Sequence, residues 1–374
     1  MSVERVLIVG GGIAGMALAI GLRRAGIAAE IVEIDQEWRV AGAGITVTGP
    51  ALRAFDRLGM LDRVMAESYC YNATRICDAQ GRVITASRVS GQPLGPRIPS
   101  GGGVLRPVLH RILSEATRAS GATVHLGVTV ADISQSDAAV TVTFTDGSRA
   151  NYDLVVGADG VHSRMRDMLF PAAPKPAFTG QGCWRAVVMR PAEVDCAHVY
   201  IGGEIKAGVT PVSREEMYLF LLQHAPDNPR MPEQRWPELL AAQLRGFGGV
   251  LGAVRDGLGA TARINYRPLE TLLLPPPWHR GRAILIGDAA HATTPHLASG
   301  AALALEDALV LTELLQTKAA IEQVFAAFMT RRTERCRMVV ENSARLGELE
   351  MRRAPAAEQA ELARASFAAL NEDI

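Results

Sequence analysis

The chain opens on an apolar run at residues 6–9 that breaks at Gly10, Gly11 and Gly12 and resumes as IAGMALAIGLRRAGI, with apolar residues at helical spacing. A second apolar run closes at Glu33. This pattern predicts a buried strand, a tight turn, a helix ending near Gly26 and a second strand, which together make one βαβ unit. Residues 104–119 carry Leu105, Val108, Leu109, Ile112 and Leu113 at three- and four-residue intervals and predict another helix. Short alternating segments at 123–126, 139–144 and 153–156, with Asp146-Gly147 as a turn signal, predict a strand, a hairpin and a return to the first sheet. Strand formers dominate 182–190 and 216–222 without helical period, so the middle of the chain is expected to be mostly antiparallel sheet.

Prolines mark the crossings between these regions, because they interrupt both helices and central strands. Pro171, Pro174 and Pro176 precede the middle sheet, and Pro275, Pro276 and Pro277 follow it. AILIG at 283–287 then predicts a short strand, a glycine turn and a long helix, and helical composition prevails from Ile321 onward. The expected fold is α/β: a Rossmann-like dinucleotide-binding domain, a mostly antiparallel β-sheet substrate domain, and C-terminal helices. The first domain is expected to be discontinuous, from residues 1–75, 100–175 and 275–320. Residues 76–99 and 176–274 form the second domain, and 321–374 the helical segment.

Composition narrows the choice of function. Lys+Arg 39 balances Asp+Glu 39, and the charges alternate in sign, which argues against a nucleic-acid partner. The densest basic stretch, Arg331, Arg332, Arg335 and Arg337, is interrupted by Glu334 and reads as a solvated helical face. No continuous apolar stretch reaches the roughly 18 residues of a membrane span, and the N-terminus shows no signal peptide. The five cysteines form no CxxC pair and are odd in number, so reduced thiols in the cytoplasm are expected, with neither disulfides nor a zinc site. Apolar helical faces near Ile321 and Phe328 could pack internally or across a homodimer.

Gly10, Gly12 and Gly15 stand as GxGxxG between a strand and a helix. Small residues there let a pyrophosphate approach the backbone N–H groups of Gly12, Ile13 and Ala14 at the helix N-terminus. Glu33, at the end of the next strand, is placed to accept hydrogen bonds from adenosine ribose hydroxyls. The competing reading is a tight βα turn with no ligand. Gly246, Gly248 and Gly252 miss the spacing, so one dinucleotide site is expected, for NAD or FAD.

Two later segments decide between the cofactors: GADGVHSRMR at 157–166 and GDAAHATTPHLASGAALALEDA at 287–308. With the opening fingerprint, Arg39 before GAGI, and Arg106 in LRPVLHRIL, the chain resembles the single-component aromatic hydroxylases that keep FAD bound, a family that includes para-hydroxybenzoate and salicylate hydroxylases. The resemblance implies an FAD-binding domain in which Glu33 and Arg39 hold the adenosine end, and Arg106 lies along the pyrophosphate or ribityl chain. It also implies that Asp159, Gly160 and Asp288 contact the cofactor, and that Pro295, Gly300 and Ala301 border the flavin ring. Asp159 has an alternative as a turn carboxylate, and Asp288 as a helix N-cap. Asp288 and His291 alone are too few donors for a metal. Where the family commonly reads GQG, this chain has Ala298-Ser299-Gly300.

The activity so implied is NADH- or NADPH-driven hydroxylation of a small aromatic or heteroaromatic substrate by O2. Oxygen transfer there is cofactor chemistry through a flavin C4a-hydroperoxide. The protein must exclude water and supply a group that makes the substrate ring electron-rich. His296 is the first candidate for that base, with Tyr218 and His224 next, while Arg185 could pair with a substrate carboxylate. Trp184 has opposite strand parity to Arg185, so one of the two faces the site. Alternatives are epoxidation, N-hydroxylation, oxidative ring opening, or an FAD-binding module without turnover.

Overall fold

The computed structural model describes residues 3–40, 42–87, 94–201, 205–228, 231–259 and 262–374. At its centre lies a six-stranded sheet in the order His279–Arg280, Ala283–Leu285, Leu154–Gly157, Arg5–Val9, Ala28–Glu33, Thr123–Leu126. Every pairing is parallel except that of the short edge strand His279–Arg280. Parallel strands are covered on both faces, which is why the central ones are continuous apolar runs rather than alternating ones. Val6, Leu7, Ile8, Leu154, Val155 and Val156 are fully buried. The Ile13–Arg24 helix is buried almost all round, between this sheet and the Gly300–Gln316 helix. Gly21 allows that second contact: a Cβ there would lie 2.6 Å from Thr312 Oγ1.

The predicted helix at 104–119 starts later than its apolar spacing suggested. Val104 and Leu105 belong to the strand Gly101–Leu105, which pairs antiparallel with Gly44–Thr48, and the helix is Arg106–Ala119. Pro107 sits in the first turn of that helix, where its missing N–H costs nothing. A three-stranded meander, Val130–Gln135, Val140–Phe144 and Arg149–Tyr152, turns at Asp146-Gly147 as expected.

The middle region supplies a seven-stranded sheet in the order Arg263–Thr271, Ala177–Met189, Glu216–His224, Lys206–Pro211, Ala197–Tyr200, Thr74–Cys77, Val83–Ser87. Only the pairing of Ala197–Tyr200 with Thr74–Cys77 is parallel. Two helices absent from the expected pattern, Trp236–Gln243 and Gly249–Gly257, cover one face. There Leu240, Leu244 and Leu251 pack on Trp184, Leu219, Leu221 and Tyr266. The other face looks back at the nucleotide fold. The helices Ile321–Met351 and Ala356–Asn371 close the structure, the former against the Gly300–Gln316 helix. Among the described residues no helix is long and apolar enough to cross a membrane, and all five cysteines are unpaired.

Candidate cofactor and substrate site

The three glycines of the opening turn do different jobs. Gly10 has φ +108°, and a Cβ there would lie 2.4 Å from the Ala158 carbonyl oxygen; one on Gly15 would lie 2.0 Å from the Gly10 oxygen. The protein's own packing therefore requires both. Gly12 has nothing within 4 Å of its would-be Cβ. It opens the Ile13–Arg24 helix, whose N-terminus carries no side-chain cap, so orphan N–H groups of Ile13, Ala14 and Gly15 face open space. Glu33 borders the same space, its Oε2 accepting from Gly11 N at 2.8 Å and its Oε1 from Asp35 N at 2.9 Å. Spare lone pairs remain on each oxygen for a further donor.

Asp159 is drawn into the alternative role. Its Oδ1 accepts from Ser163 Oγ at 2.5 Å and its Oδ2 from Met165 N at 3.0 Å, while Ser163 caps the Arg164–Leu169 helix through Arg166 N. Gly160 supplies the left-handed turn beside it, at φ +81°. Arg166, quoted in the motif but not assigned a role from sequence, is buried and donates to the Ala289 oxygen at 3.1 Å and the Val161 oxygen at 2.9 Å. It ties the 157–166 segment to the 287–308 segment. Arg39, expected at the adenosine end, is exposed and pairs with Asp35 and Glu37 in the turn after Glu33.

Across the opening, Gly287 at φ +60° turns the chain into the short helix Asp288–His291. The turn is anchored from behind. Asp307 Oδ2 accepts from Gly287 N at 2.8 Å and lies 2.6 Å from His291 Nε2, while its Oδ1 accepts from Arg332 Nε at 2.8 Å. Arg332 and Arg335 also bind Glu306. Five charged groups, Asp307, Glu306, His291, Arg332 and Arg335, thus neutralise one another in or at the edge of the core, where an unpaired one would be very costly. Burial pushes the Asp307 carboxyl up, but His291 and Arg332 outweigh it and hold it at about 2. This arrangement was not legible as a pattern, since its members come from three helices.

Asp288 itself makes no hydrogen bond to the described residues, and its side chain does not cap its helix. It keeps accessible surface although protein atoms crowd around it. Burial pushes its carboxyl up, while His291 and Arg106 pull it back. Farther along, Ala298 takes a left-handed conformation, φ 48° and ψ 29°, at the place where the family commonly has glycine. Gly300 and Ala301 follow as the uncapped start of a 17-residue helix.

The facing wall comes from the seven-stranded sheet. Trp184 points outward into the second core, so Arg185 points inward, together with Cys183 and Val187. Tyr218, on the neighbouring strand, lays its ring on Gly44 and holds Thr46 Oγ1 at 2.7 Å. Burial pushes its hydroxyl pKa up, so it is a neutral hydrogen-bond donor. Arg106 comes from the opposite wall. Burial pushes its guanidinium down, Arg185 pushes it further, and Asp288 pulls it back. Neither the Arg106 nor the Arg185 guanidinium has a hydrogen bond or close ion pair among the described residues, although both backbones are paired. Beside them a cleft of about 150 Å³ runs between Gly42, Ala43, Leu105 and Pro107 on one side and Val187, Ile264 and Asn265 on the other.

Two of the expected bases lie elsewhere. The His296 side chain is fully buried against the Ile321–Met351 helix, with Nδ1 2.8 Å from Thr294 Oγ1 and Nε2 3.3 Å from Glu350 Oε2. Glu350 in turn binds Lys206 at 2.6 Å. His296 therefore packs the 294–300 loop against the Ile321–Met351 helix, and a side chain so completely buried has no surface for a substrate. His224 is exposed at the end of its strand, opposite Gln181.

The open space before Gly12, the two uncapped helix N-termini, and the free Arg106 and Asp288 between them suit a dinucleotide with a diphosphate bridge. Comparison with known proteins gives the same assignment. The sequence model of the family described as "FAD binding domain" matches residues 4–343. Among curated relatives, the 2-heptyl-3-hydroxy-4(1H)-quinolone synthase of Pseudomonas aeruginosa is 34% identical over 83% of this chain and 80% of its own length. The aurachin C monooxygenase/isomerase of Stigmatella aurantiaca is 31% identical over 92% and 89%. Among solved structures, a point variant of HpxO from Klebsiella pneumoniae, complexed with FAD, superposes with a TM-score of 0.83 at 25% identity, covering 99% of this chain and 95% of that one.

Proposed function

Because this chain belongs to the family of FAD-dependent aromatic hydroxylases, we propose that it is a cytoplasmic monooxygenase that takes electrons from NADH or NADPH and transfers one oxygen atom of O2 to a small aromatic or heteroaromatic compound. The flavin, when bound, supplies the reduction and activation of O2. One relative is named for making a hydroxyquinolone, which makes a planar, bicyclic nitrogen heterocycle the first substrate class to try.

The observation that carries this reading is the free Arg185 guanidinium, turned from the antiparallel sheet away from the second core and toward Arg106. On this reading Gly10, Gly12, Gly15, Glu33, Arg106 and Asp288, with the backbone of Pro295, Gly300 and Ala301, hold the cofactor. The unit that binds it is residues 1–75, 100–175 and 275–320. Arg185 then remains for the substrate. A guanidinium next to a ring hydroxyl or carboxyl favours its anionic form, typically lowering its pKa by about 1–3 units, and an anionic oxygen substituent makes the ring carbons beside it electron-rich. The substrate's own proton can leave to solvent through the cleft, so no buried histidine is required as base. Tyr218, held by Thr46, donates to the substrate or orients it. The sheet's second core and the 294–300 loop exclude bulk water from the reacting ring.

The test is direct. Purified protein is examined for flavin absorption, and NADH and NADPH oxidation is followed with a panel of hydroxyquinolones, hydroxypyridine acids, phenolic acids and purine oxides, with product mass recorded. Substrate-stimulated oxidation with gain of one oxygen atom is expected. Bound flavin with no compound in the panel gaining oxygen would count against the hydroxylase reading while leaving the cofactor assignment intact.

A further inference from the structure

Directly after Glu33 the chain makes a tight turn organised by Asp35, whose Oδ1 accepts from Glu37 N at 2.8 Å and whose backbone oxygen accepts from Trp38 N at 3.3 Å. The turn delivers Trp38 at φ 49°, a left-handed conformation unfavourable for a bulky side chain. It also buries the indole, which meets the edge of His110 at 5.5 Å and lies under the Arg118 guanidinium at 5.2 Å. Those contacts leave the ring one orientation. In it, Nε1–H donates to the Gly11 oxygen at 2.9 Å, while Glu33 accepts from the Gly11 N–H at 2.8 Å. Gly11 is gripped from both sides. A Cβ on it would lie 2.3 Å from Trp38 Nε1, so the residue is glycine because the indole lies against it.

The consequence follows from the planarity of the next peptide. In a trans peptide the C=O and the following N–H point in opposite directions. By holding the Gly11 oxygen, Trp38 fixes the Gly12 N–H on the side away from the indole. That N–H has no acceptor among the described residues, and Gly12 fronts the open space at the helix N-terminus. We propose that Trp38 is a positioning residue of the cofactor site: its indole N–H sets the Gly11–Gly12 peptide so that the Gly12 N–H is aimed at the diphosphate before the cofactor arrives. Trp38 touches no phosphate itself. It acts through the peptide, and the strain at its own backbone is balanced by that preorganisation.

The inference rests on FAD being the bound dinucleotide, and it is tested on the ADP portion so that its failure is separable from failure of the hydroxylase reading. Trp38→Phe keeps an aromatic ring but removes the donor. Trp236→Phe is the control, since it removes an indole N–H that donates to the Met231 oxygen at 3.1 Å in the other domain. Dissociation constants of the flavin-depleted full chain are measured for FAD and for ADP. Trp38→Phe is expected to weaken both by the same factor, about tenfold, because both lose the same charge-assisted contact. Trp236→Phe should weaken neither. A purely structural role would lower the melting temperature of both variants and leave the Trp38→Phe affinities at the parent's values, and that result would overturn the proposal. If Trp38→Phe does not fold, the unmodified protein answers instead. With 15N-labelled tryptophan, the Trp38 indole resonance should shift on addition of ADP while that of Trp236 stays put. A Trp38 resonance indifferent to bound ADP would equally overturn it.

Discussion

Replacing Gly12 by alanine separates folding from cofactor binding, because the methyl group meets the ligand and nothing else. Gly12 has φ −79° and ψ −172°, extended backbone open to any residue, and its Cβ would have no neighbour within 4 Å. The ligand-free protein should therefore tolerate Gly12→Ala and gain about 0.4–1 kcal/mol from a less flexible unfolded chain. Loaded with FAD, the methyl stands between the helix N-terminus and the diphosphate. Displacing one or two charge-assisted hydrogen bonds costs about 2–4 kcal/mol, roughly 30- to 1,000-fold in Kd. Gly10→Ala should do the opposite. Its φ of +108° and the 2.4 Å approach to the Ala158 oxygen put the burden on the fold itself, through about 1–3 kcal/mol of backbone strain plus about 1–3 kcal/mol of overpacking. Thermal melts of the flavin-depleted proteins, followed by FAD titration monitored by flavin fluorescence, read both quantities. Ligand stabilisation then enters the holo melt as RT ln(1 + [L]/Kd). A Gly12→Ala protein that binds FAD as tightly as the parent would show that the open space at this helix is not where the diphosphate lies.

Asp307→Asn keeps the side chain's shape but leaves Arg332 and His291 buried without their shared counter-ion, so stability should fall by about 3–5 kcal/mol in urea unfolding. Asp307 also gives the parent an acid-labile contribution. With the folded carboxyl at about 2 against an ordinary value of 3.8, its contribution is fully present above 3.8 and is lost as pH falls from there toward 2, amounting to about 2 kcal/mol; melting curves from pH 5 to pH 2 should show this drop in the parent and a shallower one in Asp307→Asn. Arg185→Ala should raise KM for an anionic substrate about 10- to 100-fold with flavin content unchanged, and lysine should restore only part of it because it lacks the paired donors; a KM unaffected by the alanine change would remove Arg185 from substrate binding. His296→Gln should lower the melting temperature while the pH profile of kcat/KM keeps both limbs, whereas loss of a limb centred on a histidine-like pKa would return His296 to the role of base.

The nucleotide fold was legible because its signals are local and redundant. An all-apolar strand, three spaced glycines, a helical period and a carboxylate at the end of the next strand all sit within residues 6–33, and each constrains the same βαβ unit. The middle sheet was legible in type but not in its covering helices: in Trp236–Gln243 and Gly249–Gly257 the short lengths and the internal Pro237 and Gly252 dilute the period. The helix expected from residue 104 shows the same limit. Leu105 satisfies the helical spacing, but ladder bonds to Gly44–Thr48 claim it for a strand.

Side-chain direction was harder to read than element type, and the function depends on direction. Strand parity reduced Trp184 and Arg185 to a pair of exclusive choices, yet which one faces inward depends on which side of the sheet receives the helices, and those helices lie some fifty residues downstream. His296 shows the converse. Its place in the loop could be read from sequence, but a loop's backbone and side chain can face opposite ways, and here Gly347 leaves room on the Ile321–Met351 helix for the ring: a Cβ at 347 would lie 3.1 Å from His296 Nε2. That places the imidazole among Gln181, Glu350 and Lys206. Once the imidazole is so engaged, the described wall opposite Asp288 offers a fixed cation and a neutral phenol but no free base. Such a wall selects substrates that are already acidic enough to ionise beside Arg185. The prediction is therefore about chemistry as much as residues: across a series of ring-substituted hydroxy-heterocycles, kcat/KM should rise as the substrate's own hydroxyl pKa falls toward the assay pH. A series in which turnover is indifferent to that pKa would require a base that this wall does not contain.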